Sequence, residues 1–143
     1  ESLSGTSWAP AFVAHGPNNR TALVRTLSSR FEWRLPDASA NPYLVTAALV
    51  AAGLDGIDRQ LDLAPACTDD LFVMPLAEIT ARGIATLPRD LRDALDALQN
   101  DEVVGGALGP AMCEQFLALK RDEWQRYAHH VSDWEVQRYA SAF

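Results

Sequence analysis

The spacing of hydrophobic and polar positions changes character about a quarter of the way along this chain. Near its start, Arg30, Glu32 and Arg34 alternate with Phe31, Trp33 and Leu35. Period two is the mark of a strand with one polar and one apolar face. TALVR (21–25) is a second short strand candidate, while WAPAFVAHG (8–16) carries Pro10 near its start and suits an edge strand or an extended loop. TLSS (26–29) is short enough for a hairpin connection. The pattern therefore predicts adjacent antiparallel strands whose arginines share a face.

Beyond Asp37 the period lengthens. Asn41 followed by Pro42 is a helix start, an N-cap side chain and then proline at the first helical position. Tyr43 to Leu54 is nearly apolar on all sides, which predicts a buried helix. Gly53 and Gly56 weaken its end and permit close packing or termination. Residues 62–87 read as irregular, with Pro65, Pro75 and Gly83 as breakers. From Pro88, Leu91, Leu95 and Leu98 fall at i, i+4 and i+7, an amphipathic helix. DEVVGGALG (101–109) predicts a short helical turn with glycine exits, and 111–130 a long helix. Ser132 with Glu135 three residues on forms a capping box for a last helix. Trp124, Tyr127 and Trp134 at helical spacing are expected in the core. The fold class predicted is α+β, with short antiparallel strands at the N-terminal end (1–39) and a mainly helical region after them (40–143).

Composition changes this picture in one respect. With 48% apolar and 22% charged residues, the 143-residue chain has ordinary globular composition and enough length to bury a core. Its net charge of −7 argues against nucleic acid or an anionic membrane as partner, because such surfaces need cationic excess. No apolar run reaches the ~20 residues of a membrane span. Yet Asn19 to Arg34 holds four arginines and a single acid, so the acidity lies elsewhere and a local anion site is compatible with it. Cys67 and Cys113 make neither a metal pair nor a disulfide framework. They are expected as reduced thiols in a cytoplasmic protein.

The candidate chemistry follows from that cluster. Arg30, Glu32 and Arg34 project together from one strand face, with Arg20 and Arg25 just before them. One reading is a self-neutralising surface ladder. The other is a site where arginines grip phosphate oxygens bidentately and Glu32 binds a divalent cation, Mg²⁺ or Mn²⁺. GGALG (105–109) lacks the lysine and preceding strand of a phosphate loop. His129 and His130 point about 100° apart on a helix and cannot easily share a metal. TDD (68–70) reads as a cap or turn.

The stretch NRTALVR, RFEWRLPDASANPYL and AAGLDGI resembles the C-terminal part of the catalytic domain of the glutamine synthetase family. The likeness runs from about Ser4 to the end of the chain and is densest over Asn19–Ile57. In that family ATP phosphorylates the γ-carboxylate of glutamate and an amine displaces the phosphate. The resemblance implies that Arg20 and Arg34 contact the transferring phosphoryl group and the substrate glutamate. It further implies that Arg25 and Arg30 hold nucleotide phosphates and that Glu32 binds the bridging metal. The cofactors implied are ATP with Mg²⁺ or Mn²⁺, and the substrates L-glutamate with ammonia or a small amine. The assembly implied is a homo-oligomeric ring in which neighbouring subunits complete the site.

Three departures qualify the match. The Arg25–Arg30 segment is shorter than in the best-known bacterial members. Trp8, in SGTSWAP, stands where the flap over the amine site usually carries a glutamate. No adenylylation tyrosine motif is recognisable around 62–75. The tryptophan form looks more like the branch that includes γ-glutamylmethylamide synthetases, where an indole could suit a methylated amine. The family's N-terminal domain and first half of the catalytic domain would precede Glu1. The expectation is therefore a chain inactive alone, with exposed apolar surface and a tendency to self-associate. The alternative is a non-catalytic module that binds or regulates a full-length relative.

Overall fold

The computed structural model describes residues 9–140. Trp8, and with it the flap expectation, lies outside the described residues. The chain divides into two compact units, one ending at Arg89 and the other beginning at Asp90.

The first unit opens with three short strands, β1 (His15–Pro17), β2 (Val24–Thr26) and β3 (Phe31–Trp33), in the order β1-β2-β3. The expected hairpin is present: β2 and β3 are antiparallel, with Arg25 opposite Glu32 and Val24 opposite Trp33. β1 pairs with β2 in parallel, Gly16 opposite Arg25, which the alternation alone did not predict. Strands of three residues allow this without a helical crossover, because the excursion between them is only residues 18–23. Asn18 turns the chain with a positive φ of 53°, a region that asparagine tolerates better than most residues. A further antiparallel bridge joins Phe12 to Thr86. The small core beneath is Cys67, Leu71 and Ile79, with Phe12, Ala14, Met74 and Ile84 against it.

Helix α1 (Pro42–Asp58) starts as expected, the Asn41 side chain accepting from the backbone N–H of Tyr43 and Leu44. It runs through both glycines, and nothing lies within 4 Å of a Cβ built on Gly53 or Gly56. Contrary to expectation, no residue of this helix is buried. Tyr43 is 83% and Ile57 72% exposed. The sequence requires an apolar partner on several sides, and the described residues of this unit supply no element packed along it. Within the stretch read as irregular there is a six-residue helix, α2 (Leu76–Ala81), which buries Ile79. Pro75 starts that helix rather than breaking one.

The second unit is helical. In α3 (Leu91–Gln99) the Asp90 carboxylate accepts from the Asp93 N–H, and Leu95 is buried. α4 (Glu102–Leu108) is capped by Asp101 and ends at Gly109, whose φ of 80° favours glycine. α5 (Pro110–Ala128) buries Leu117 and packs on α3 and α4. Arg92 of α3 lies over the Trp124 ring, 5.9 Å from its centroid. α6 (Asp133–Tyr139) has the predicted capping box. Tyr127 and Trp134 are surface residues instead of core, 71% and 64% exposed. The two cysteines are unpaired thiols, Cys67 buried and Cys113 half-buried. No helix among the described residues is long and apolar enough to cross a membrane.

Candidate functional site

The hairpin register decides the geometry of the arginine cluster. Because Arg25 stands opposite Glu32, its guanidinium reaches across the ladder and donates to both carboxylate oxygens, at 3.0 and 3.2 Å. Its other edge donates to the Asn18 side-chain oxygen, through Nε at 3.1 Å and through the second terminal nitrogen. Arg30, more exposed, reaches Glu32 at 3.4 Å. Arg34 donates to the main-chain carbonyl of Arg20, tying the far end of β3 to the turn after β1.

These contacts set the charge states. The hydrogen bond from Arg25 holds the Glu32 carboxyl below its ordinary 4.5; partial burial opposes this, and the Arg30 contact assists it. Burial pulls the Arg34 guanidinium below the usual arginine value; Glu32 counters that pull, while the nearby charges of Arg25 and Arg20 add to it. Arg25 and Arg30 thus pair with the one carboxylate, Arg34 lies close enough to feel it, and Arg20 adds its charge beside Arg34, a local cationic excess that favours an added anion.

Beside the turn lies a polar recess of about 430 Å³, lined in part by Asn18, Arg20, Arg25, Thr68 and Asp70. A larger cavity of about 990 Å³ lies between Val13–His15, the end of α1 and residues 60–67. None of the five cluster residues lines it and its walls are mainly apolar, whereas Arg20 and Arg25 line the smaller recess. Among the described residues no three of His, Cys, Asp and Glu gather as a metal site. Glu32 can offer one oxygen to a divalent cation, which takes about six, the rest coming from phosphates, water or other chain.

Sequence reasoning brought the five residues together but missed those that hold them. Asn18 grips Arg25, and Asn19 and Thr21 are the two buried polar residues among those described. The available signal was an asparagine pair at a strand end, a composition suited to turns.

The profile described as glutamine synthetase, catalytic domain, matches residues 2–139, and the chain belongs to that family. It is 49% identical to a glutamate–methylamine ligase of Methyloversatilis universalis over 142 residues, 99% of this chain and 32% of that protein. It is 45% identical to a glutamine synthetase of Halobacterium salinarum, over 94% of this chain and 31% of the relative. A solved structure described as apo GmaS without ligand superposes with a TM-score of 0.80 at 40% identity, over 93% of this chain and 31% of that one. The chain thus spans about a third of the length of the relatives it matches.

Proposed function

We propose that this chain is the C-terminal portion of the catalytic domain of an ATP-dependent glutamate–amine ligase, 1–39 forming an active-site segment and 40–143 a mainly helical part. The observation carrying this reading is the gathering of Arg20, Arg25, Arg30, Glu32 and Arg34 on one turn and hairpin, in a chain 49% identical to a glutamate–methylamine ligase. Arg20 and Arg34 contact the substrate glutamate and the phosphoryl group as it moves to the γ-carboxylate. Arg25 and Arg30 hold the nucleotide phosphates. Fixed cations of this kind stabilise charge that develops in transfer and need no reorganisation at that moment. Glu32 supplies a ligand to Mg²⁺ or Mn²⁺, which when bound neutralises phosphate charge. The amine then displaces phosphate from γ-glutamyl phosphate, and Trp8 covers the amine. The whole polypeptide works as a homo-oligomeric ring in the cytoplasm, and the chain is inactive by itself.

The test is ATP- and glutamate-dependent amide formation by the intact polypeptide with Mg²⁺ or Mn²⁺, offering ammonia and methylamine separately. Preference for methylamine makes Trp8 a specificity residue; preference for ammonia reduces it to a tolerated variation. No product with either amine favours the second reading, a module that binds a full-length relative, to which the uncovered apolar surface of α1 lends support.

A further inference from the structure

Arg20 stands between two buried residues that both face away from it chemically. Asn19 is 9% and Thr21 2% exposed. The Asn19 amide donates to the carbonyls of Cys67 and Asp69 at 3.0 and 2.9 Å. Its oxygen accepts from the Thr21 N–H at 2.9 Å and from the Thr21 hydroxyl at 2.7 Å. The same hydroxyl accepts from the Leu71 N–H at 3.0 Å. Both amide hydrogens and the carbonyl oxygen of Asn19 are therefore engaged, as are the donor and acceptor sides of the Thr21 hydroxyl.

A second contact seals the same junction. The Cys67 N–H donates to the His15 carbonyl at 2.8 Å. A Cβ on Gly16 would lie 1.9 Å from the Cys67 carbonyl oxygen, so the loop rests directly on strand β1. Loop 67–71 is thereby locked to the turn, and Thr68 and Asp70 from that loop wall the recess together with Arg20.

We propose that Asn19 and Thr21 are positioning residues: by clamping loop 67–71 to the β1–β2 turn, they fix Arg20 at the wall of the recess. The effect on turnover rests on the ligase reading above, whereas the clamp itself does not. Both residues border the recess, but their side-chain polar groups are taken up by each other and by loop 67–71, so each acts through Arg20.

The experiment uses the intact polypeptide with Thr21→Val, Thr21→Ser and Arg20→Ala, singly and as the Thr21→Val/Arg20→Ala pair. Thr21→Val keeps the volume and removes the hydroxyl. It should lower kcat at least tenfold with little change in KM for the amine, and Thr21→Ser should restore most of the rate. In the Arg20→Ala background Thr21→Val should cost nothing further, because its partner in the effect is gone. Full activity in Thr21→Val, or an equal further loss in the double variant, overturns the proposal. If the unmutated protein makes no amide, the ligase reading fails and the clamp is read with inorganic pyrophosphate. Titration should then show weaker binding in Thr21→Val and recovery in Thr21→Ser, and equal affinity in all three overturns it. Should Thr21→Val not fold, Thr21→Ala replaces it, and failure of both to fold would make the pair a determinant of stability alone and overturn the positioning role.

Discussion

Two parts of the first unit reverse the usual fate of polar and apolar surface. The turn at residues 16–21 is polar in sequence, yet Gly16, Asn19 and Thr21 are buried and every side-chain hydrogen-bonding group of Asn19 and Thr21 is met. Helix α1 is apolar in sequence and none of its residues is buried. Hydrogen bonds are few and directional, so a short stretch of chain is satisfied once a single loop is brought against it. Apolar burial scales with area, and about 25 cal/mol per Å² is gained only where a partner surface exists. The site-bearing turn is thus finished by residues of this chain, while the helix beside it is left with surface to cover.

The sharpest way to break that contrast is Gly16→Ala. An added Cβ would meet the Cys67 carbonyl at 1.9 Å, and backbone cannot swing aside as a flexible side chain can. We expect a loss of about 3 kcal/mol or outright failure to fold, read by urea unfolding. Thr21→Val should cost about 1–3 kcal/mol, since it leaves the Leu71 N–H buried without its acceptor.

Glu32→Gln should cost less and depend on pH. The folded carboxyl is held below its ordinary value. Its contribution is therefore fully present above the unfolded value of about 4.5 and fades as pH falls through the folded value. The stability difference between Glu32→Gln and the unmutated chain should be largest near neutrality and shrink below pH ~4.5; a difference independent of pH would contradict the pairing. Ile57→Lys should change stability least, within about 0.5 kcal/mol. On the self-association expected of the isolated chain it should act strongly, shifting the protein toward monomer in sedimentation. A chain already monomeric before substitution would remove that half of the contrast.

The same contrast explains what could be read in advance. Arg25, Glu32 and the hairpin were legible because strand alternation is a local signal, and so were the caps at Asn41 and Ser132. The buried clamp was not, because Asn19 and Thr21 find their partners 48 to 50 residues away. Helix α2 escapes the pattern because Pro75 reads as a breaker although it stands at a helix start. The apolar pattern of α1 correctly gave a helix and wrongly gave its burial, since periodicity says which face needs cover without saying what provides it.

The bonds from Asn19 to Cys67 and Asp69 also close the chain into a ring of its own. β2, β3 and α1 all hang within that one excursion, between two ends already fastened. Chain entropy charges little for lengthening an excursion of this sort, about 0.6 kcal/mol for each doubling. Extra residues at the Asp37–Ser39 turn before α1 should therefore be accommodated without loosening the knot that seats Arg20. The hydrophobic helix is tethered within that ring, so that its length and its partner can vary while the geometry of the arginine turn stays the same.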